Sequence, residues 1–197
     1  MIAIVDYGAG NLTSVAKALE HLGLECAMTN DPDIVGRADK WIIPGVGNFK
    51  ATAPLTNGKL GAVLRGATGD DGRPLLGICL GLQWMFEGST EAPELRGLAT
   101  FPGECKRFSE QVKSPHVGWD SIVIDGRSRL LAGISSGAYV YFTHSYSAPV
   151  CGDTVATCNY EAPFTAAAER GNLFGVQFHP EKSGDIGLQI LENFCGL

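Results

Sequence analysis

One cysteine lies where its side chain could act as a nucleophile. Cys79 is at the centre of a Gly-Ile-Cys-Leu-Gly pentapeptide, between an apolar run with the composition of a strand, residues 74–76, and a segment with the composition of a helix, residues 82–87. A reactive side chain between two glycines at such a corner is typical of a nucleophile elbow, because the glycines leave room for the crossing backbone. The start of a helix also favours the thiolate, the reactive form of cysteine. Cys79 is therefore a candidate nucleophile, and a buried cysteine near a turn is the alternative.

A cysteine nucleophile needs a base, and the base needs a group that orients it. His179 is followed by Pro180 and Glu181. Proline favours an extended conformation for the residue before it, and side chains two apart in an extended segment project to the same side. Glu181 can then accept from one ring nitrogen of His179 while the other faces the thiol, as in a catalytic triad. The alternative is a histidine at a strand end beside a solvated glutamate. The other histidines are expected on a surface helix (His21), in a loop (His116) and after a strand (His144).

The first half of the chain alternates short apolar runs with segments of helical period. The expected strands are residues 2–6, 24–28, 40–43 and 74–76, and helices are expected over residues 12–22, from Asp31-Pro32, and over 50–66 with a break near Asn57-Gly58. Such alternation is typical of a parallel sheet with helices on both faces, in which ligands bind beyond the carboxyl ends of the strands. That rule points to the glycine loop at residues 44–49, for which an ordinary turn is the alternative. Residues 70–73 are expected to form a polar turn.

The second half is expected to contain mainly strands. The segments are residues 98–107, 117–124, 138–143, 154–160, 164–169 and 173–178, followed by a last helix over 185–195. No stretch has the composition of a linker, so residues 1–197 are expected to form a single domain. The predicted fold class is α/β, with a central, mostly parallel sheet flanked by helices and additional antiparallel strands in the C-terminal half.

Composition and charge exclude several classes of protein. The 197 residues carry a net charge of −6, and 45% of them are hydrophobic, which is typical of globular proteins. There is no basic cluster for nucleic acid and no apolar run of the roughly 20 residues that span a bilayer. The N-terminus lacks the features of a signal peptide, so a cytoplasmic location is expected. The six cysteines include no CxxC pair and are expected to be reduced, and neither a metal nor a cofactor is expected.

Several blocks of the sequence together resemble a known family. Cys79 within Gly-Ile-Cys-Leu-Gly-Leu-Gln, together with His179-Pro180-Glu181, resembles the class I glutamine amidotransferases, whose fold is flavodoxin-like. Further blocks are similar to the members of that family that serve as glutaminase subunits of imidazole glycerol phosphate synthases. These blocks are residues 6–11, 44–47, 115–119, 141–146 and 175–183.

The resemblance implies hydrolysis of glutamine to glutamate and ammonia through a cysteine thioester. Cys79 would attack the side-chain carbonyl, and backbone N–H groups of Val46 and Leu80 would hold the oxyanion. His179 would protonate the leaving ammonia and then activate water. The residues that the resemblance places around the substrate are Gly47, Gln83, Glu91, Ser145 and Tyr146.

The resemblance also implies a heterodimer with a cyclase subunit. The ammonia would pass through a tunnel to that subunit, which makes imidazole glycerol phosphate and aminoimidazole carboxamide ribotide in histidine biosynthesis. Asn11, Trp119 and Lys182 match interface positions, and plain core packing is the alternative for Trp119. Asp120 stands where the family usually has asparagine. An aspartate only accepts hydrogen bonds, whereas asparagine also donates, so this position offers the partner different contacts.

Other interpretations remain open at this point. One is the glutaminase subunit of another synthase, of the anthranilate or aminodeoxychorismate type, against which residues 6–11 and 116–119 argue. Another is a non-catalytic module of the same fold that binds a partner, against which the intact Cys79, His179 and Glu181 argue.

Overall fold

The computed structural model describes residues 1–66 and 72–197, and it has a large mixed sheet at its centre. Asp70 and Asp71 of the expected polar turn lie outside these residues. Among the described residues, eight strands form the main sheet in the order β2-β1-β3-β4-β13-β12-β11-β8. Their bounds are β1 Ile2–Val5, β2 Cys26–Thr29, β3 Lys40–Gly45, β4 Leu75–Cys79, β8 Val123–Ile124, β11 Thr154–Asn159, β12 Pro163–Arg170 and β13 Leu173–Val176.

The pairing within the main sheet confirms the predicted fold class. The first five strands of that order run parallel, and β12, β11 and β8 add antiparallel pairs at one side. Within the described ranges, two smaller sheets contain β10-β6-β5 and β7-β9, and all of their strands except β5 lie in the C-terminal half. Their bounds are β5 Gly88–Ser89, β6 Glu104–Arg107, β7 His116–Ser121, β9 Tyr139–His144 and β10 Tyr146–Ser147. The single-domain organisation stays a prediction.

The helices lie close to where the sequence pattern indicates, although the helix expected over residues 82–87 begins and ends two residues earlier. They are α1 Leu12–His21, α2 Pro32–Arg37, α3 Ala53–Thr56, α4 Gly58–Arg65, α5 Leu80–Met85 and α6 Gly184–Cys195, with 3₁₀ turns at Phe49–Thr52 and Pro180–Lys182. The side chain of Asp31 caps α2 by accepting from the backbone N–H of Asp33. The break expected near Asn57 separates α3 from α4. No helix in the described ranges is long and apolar enough to cross a membrane.

The core has two layers, one on each face of the main sheet. Because successive side chains of a strand point to opposite faces, Ile42 and Ile43 of β3 belong to different layers. The buried faces of α1 and α6, including Leu19 and Leu191, pack in the layer with Ile42. Leu64 of α4 packs in the other layer, with Ile43. Burial on both faces holds β3 and β4 in place within the sheet, and their pairing puts Cys79 at the carboxyl end of β4.

Some boundaries differ from the predictions, and backbone hydrogen bonds explain why. The segment expected as a strand over 98–107 is a strand only from Glu104, because the N–H groups of residues 97–101 bond to carbonyls of residues 84–87 at the end of α5. The second strand begins at Cys26 because the N–H of Leu24 bonds to Leu19 and completes α1. The prediction that His116 lies in a loop is wrong. His116 opens β7 opposite His144 of β9, and it is buried.

Candidate active site

Cys79 occupies the strained corner that the sequence predicts. It is the last residue of β4 and precedes α5, with φ 54° and ψ −103°. A positive φ is unusual for a residue with a side chain and occurs where the surrounding structure enforces it. A Cβ on Gly77 would lie 2.6 Å from the carbonyl carbon of Gly81, and a Cβ on Gly81 would overlap the carbonyl oxygen of Ile43. The crossing of strand and helix therefore requires glycine on both sides of Cys79.

His179 and Glu181 form the pair that the sequence predicts. Nδ1 of His179 lies 2.8 Å from Oε1 of Glu181, and both side chains are buried. The backbone of His179 is extended, with φ −101° and ψ 97°, as expected before Pro180. Its N–H donates to the Tyr141 carbonyl at 2.8 Å, and its carbonyl accepts from the Ser183 hydroxyl at 2.6 Å. These contacts anchor the imidazole to β9 as well as to its own segment.

The hydrogen bond to Glu181 leaves the second ring nitrogen of His179 unoccupied. Because a carboxylate only accepts, the bond to Glu181 places the proton of a neutral ring on Nδ1 and leaves Nε2 as the acceptor. Nε2 is buried and has no hydrogen-bond partner among the described residues. Burial disfavours the charged ring, but the nearby Cys79 sulfur, the hydrogen bond to Glu181 and the negative charges of both partners outweigh it and raise the pKa of His179 from 6.5 to about 9. The ring is thus suited to hold a proton beside a thiolate.

A cavity of about 220 Å³ opens beside Cys79, and it gathers residues from five parts of the chain. All five residues that the resemblance places around the substrate are among those lining it. The lining residues are Gly47, Cys79, Leu80, Gln83, Glu91, Pro115, Thr143, His144, Ser145 and Tyr146. Because the parallel β3 and β4 pair Gly45 with Cys79, the glycine loop after β3 and the elbow after β4 meet at one end of the sheet.

Two polar side chains hold the walls of this cavity together. The Gln83 amide nitrogen donates to the Tyr146 carbonyl at 2.9 Å and to Oε1 of Gln177 at 3.2 Å. Oε2 of Glu91 accepts from the backbone N–H of Phe49 at 2.7 Å. Glu91 therefore ties the glycine loop to the opposite wall and also supplies a carboxylate to the cavity, where an ammonium group could bind.

The two backbone groups expected to hold an oxyanion lie in different surroundings. Leu80 lines the cavity, is buried and begins α5, where the first N–H groups of a helix have no partner within the helix. Val46 lies outside the lining and is 37% exposed, whereas the next residue, Gly47, lines the cavity with φ 116°. The role of Val46 stays a prediction.

Gln177 is a site residue that the sequence analysis missed. Its amide nitrogen lies 3.5 Å from Sγ of Cys79, and its side chain is fully buried. The Thr143 carbonyl lies 3.9 Å from the same sulfur. The spacing of two residues that linked His179 to Glu181 also links Gln177 to His179 and would have found it. Thr143 contributes only its backbone, which leaves no signal in the residue type.

The residues expected at a partner interface divide into two groups. Trp119 is 55% exposed, which rules out plain core packing. Its ring centre lies 6.1 Å from that of Tyr141. Nζ of Lys182 lies over the same Tyr141 ring, at 5.8 Å from its centre. Asp120, on the other face of β7, turns its carboxylate towards His116 and towards the N–H of Ser121. The Asn11 side chain caps α1 by accepting from the Ser14 N–H at 3.4 Å. Only Trp119 and Lys182 therefore share one exposed cluster.

The described residues contain no group of three or more His, Cys, Asp or Glu side chains that could hold a metal ion. The six cysteines are all free thiols. Burial raises the pKa of Cys158 to about 12, and that of Cys195 to about 11. These two thiols are therefore protonated at neutral pH and unreactive.

Residues 3–196 match the family described as glutamine amidotransferase class-I. The chain belongs to this family. Membership of this family accounts for the elbow cysteine with the cavity beside it and for the buried histidine–glutamate pair. The imidazole glycerol phosphate synthase subunit HisH of Bacillus mycoides (strain KBAB4) is 43% identical over 199 residues, which span all of this chain and 95% of that protein. The subunit of the same name from Bacillus cereus (strain G9842) is 44% identical over 200 residues, with the same coverage. This chain belongs to the family of these subunits.

Solved structures share the amidotransferase fold at much lower identity. A crystal structure of a glutamine amidotransferase superimposes with a TM-score of 0.77 at 17% identity, over 100% of this chain and 99% of that one. The structure of PurLQS from Thermotoga maritima gives a TM-score of 0.72 at 17% identity, over 99% of this chain and 97% of that one. At such identities the likeness concerns the fold alone.

Proposed function

We propose that this amidotransferase hydrolyses glutamine to glutamate and ammonia and delivers the ammonia to a cyclase subunit. One observation carries the glutaminase assignment. A single cavity brings the elbow thiol of Cys79 together with Gly47, Gln83, Glu91, Ser145 and Tyr146, all of which were expected around glutamine. The buried pair of His179 and Glu181 supports the same assignment because it supplies the base that the thiol needs.

In the first half of the reaction the Cys79 thiolate attacks the carbonyl carbon of the glutamine side chain. A carbon–sulfur bond forms, and the carbonyl oxygen becomes an oxyanion held by the N–H of Leu80 and a group of the glycine loop. Loss of one such donor typically slows the reaction by about 10²–10³-fold. When the intermediate collapses, the carbon–nitrogen bond breaks and Nε2 of His179 gives its proton to the leaving amine. The raised pKa of His179, about 9, keeps that proton available at neutral pH.

In the second half a water molecule replaces the sulfur. His179, now neutral, takes a proton from water while the water oxygen attacks the thioester carbon. The carbon–sulfur bond breaks, glutamate leaves and the thiolate returns beside a charged His179. The sum is glutamine plus water to glutamate plus ammonia. Glu181 stabilises the charged ring in both halves without itself taking a proton.

The finer assignment concerns the partner. The relatives with 43–44% identity are named subunits of imidazole glycerol phosphate synthase, which supports a heterodimer with the cyclase subunit of that synthase. The complex would make imidazole glycerol phosphate and aminoimidazole carboxamide ribotide in histidine biosynthesis. Ammonia is mostly protonated in neutral water and is then no nucleophile, so direct transfer between subunits is needed. The cytoplasmic location expected from the sequence stays a prediction.

The test is to mix the purified chain with a cyclase subunit and its nucleotide substrate and to measure glutamate release. We expect stimulation over the chain alone, and stoichiometric formation of imidazole glycerol phosphate. Glutamate release that no cyclase stimulates would leave the glutaminase activity in place and overturn the partner. Absence of glutamate release in the full mixture, while the same cyclase works with added ammonia, would overturn the glutaminase activity itself.

A further inference from the structure

A chain of polar contacts starts at the wall of the cavity and leads away from the catalytic pair. Nδ1 of His144 lies 2.9 Å from the Tyr146 carbonyl oxygen, which also accepts from Gln83. Nε2 of His144 lies 3.3 Å from Nδ1 of His116. Nε2 of His116 lies 3.4 Å from Oδ2 of Asp120. We call this series, from Asp120 through His116 and His144 to the Tyr146 carbonyl, the histidine relay.

The relay is enclosed by aromatic rings. The ring of His116 is stacked between those of Phe142, at 4.9 Å, and Tyr160, at 4.0 Å. Phe108 and Phe164 pack against both imidazoles. His116 is 4% exposed and His144 is 6% exposed, whereas the Asp120 side chain is 32% exposed. Both imidazoles are therefore held rigidly, and Asp120 is the end of the relay that solvent reaches.

The protons available do not fill the relay. Both ends, a carbonyl and a carboxylate, can only accept, so three contacts need three protons. Two neutral imidazoles carry one N–H proton each and supply two. One contact must therefore lack a proton. The contact to Tyr146 is the shortest and is buried, whereas the contact to Asp120 is the longest and water can replace it. Asp120 approaches Nε2 of His116 only at an ion-pair distance of 3.4 Å, whereas the Glu181 carboxylate accepts a hydrogen bond from His179 at 2.8 Å. The missing proton is therefore the one at Asp120, and both hydrogen bonds of the relay point towards Tyr146.

We propose that His144 and His116 are positioning residues, each with its proton on Nδ1, which together hold the Tyr146 carbonyl in the wall of the cavity. His144 donates to Tyr146, and His116 donates to His144 and so fixes which nitrogen of His144 carries the proton. The role in glutamine binding rests on the proposed function. The direction of the hydrogen bonds does not, because it follows from the contacts alone.

The ionisable groups around the relay keep both rings neutral at neutral pH. Burial lowers the pKa of His144 to about 3 against the opposing effect of its hydrogen bond to Tyr146, and a positive charge on His179, or on His116 once that ring is protonated, acts in the same direction as burial. Burial also lowers the pKa of His116, although Asp120 opposes this shift. The Cys158 thiol, which faces Asp120, stays protonated because burial raises its pKa to about 12. A third proton therefore enters the relay only at acidic pH, on His116.

The direct test is nuclear magnetic resonance of the full chain with ¹⁵N-labelled histidine at about pH 8. We expect the proton on Nδ1 in both His116 and His144. The signals of each residue are assigned from their disappearance in a variant that replaces that histidine alone. A proton on Nε2 of either residue would overturn the proposal. This measurement needs neither glutamine nor a partner, so it decides the relay even if the proposed function fails.

Asp120→Asn tests the end of the relay. The asparagine amide can donate to Nε2 of His116, which supplies the third proton without ionisation. We expect both Nδ1 protons to persist and the protonation midpoint of His116 to move to lower pH, because the attraction of Asp120 is gone. Asp125→Asn removes an equal charge just after β8 and should leave the midpoint unchanged. An unchanged midpoint in the Asp120 variant would contradict the contact on which the relay depends.

A matched pair at His144 tests its effect on glutamine. Asparagine keeps a donor near the position of Nδ1, whereas leucine has nearly the same size and no donor. We expect His144→Leu to raise KM for glutamine about tenfold with kcat within about threefold, and His144→Asn to keep KM within about threefold of the wild type. Equal KM values for the two variants would overturn the positioning role. If neither variant folds, the assignment of the Nδ1 protons in the wild type still decides the proposal.

Discussion

Two buried histidines near the same cavity are set to opposite protonation states. His179 is paired with a carboxylate and lies beside a thiol, and its pKa rises to about 9. His144 is paired with a carbonyl and another imidazole, and its pKa falls to about 3. Burial acts in the same direction on both. The difference therefore comes from the partners, since a negative charge compensates a buried imidazolium for its lost hydration more fully than the Tyr146 carbonyl does.

The contrast explains how two imidazoles near one cavity avoid competing for the same proton. The charge of His179 is one of the causes that lower the pKa of His144. One ring is thus kept for proton transfer and the other for hydrogen bonding. The following predictions test this division, from the largest expected effect to the smallest.

Removal of the nucleophile should abolish glutamine hydrolysis, the reaction in which His179 transfers protons. We expect Cys79→Ala to lower glutamine hydrolysis by at least about 10⁴-fold, while a partner cyclase still works with added ammonia. Cys26→Ala, at the far edge of the sheet in β2, should behave as the wild type. Glutamate release by Cys79→Ala at the normal rate would show that the nucleophile lies elsewhere.

Replacing the carboxylate should make His179 resemble His144. In Glu181→Gln the ring loses its charged partner, so its pKa should fall and kcat should drop by about 10²–10⁴-fold. The pH at which the charged ring is lost, measured by ¹⁵N shifts of His179, should move down. The exposed Glu192→Gln is the control for charge. If His179 kept its high pKa without Glu181, the partner would not be the cause of the contrast.

The same contrast predicts how stability depends on pH. The folded pKa of His179, about 9, lies above the usual 6.5, so its contribution is complete below about pH 6.5 and is lost as the pH rises through about 9. The free energy of unfolding of the wild type should therefore fall over this interval by about 1–3 kcal/mol more than that of Glu181→Gln. Urea denaturation at several pH values checks this, and equal slopes for the two proteins would count against the raised pKa.

A smaller effect is expected at the exposed face of β7, which carries Trp119 on the side away from His116. Trp119→Ala should weaken binding to the cyclase by about 10–100-fold and change the free energy of unfolding by less than about 1 kcal/mol. The ¹⁵N shifts of His116 should not move, since the two residues lie on opposite faces. Titration calorimetry measures the affinity, and unchanged binding would remove Trp119 from the interface.

The parts of the site that the sequence predicts are those set by local chemistry. The glycines two residues before and after Cys79 predict the strained corner. Pro180 predicts an extended segment in which the side chains of His179 and Glu181 project to the same side. The order of alternating strands and helices was enough to predict the mostly parallel sheet. For the corner and the histidine–glutamate pair the information lies within about five residues, and for the sheet it lies in the order of the elements along the chain, so no knowledge of distant contacts is needed.

The features that the sequence did not predict depend on distant partners. His116 looked like a loop residue after Pro115, and only its pairing with His144, 28 positions later, makes it part of β7. The segment at residues 98–103 has the composition of a strand, but the N–H groups of residues 98–101 donate hydrogen bonds to carbonyls at the end of α5. The role of the Thr143 carbonyl cannot be read from residue type, because every residue has a carbonyl.

The narrow cavity beside Cys79 also sorts chemical reagents by size. Cys79 is 4% exposed and is reached through about 220 Å³ of space, whereas Cys26, Cys151 and Cys195 are partly open to solvent. A bulky maleimide should first block the partly exposed Cys26 and Cys151 and leave the elbow untouched, whereas Cys195 stays protonated and reacts poorly. A small electrophile shaped like glutamine should then modify Cys79 alone, and the label it leaves would count the competent molecules in a preparation.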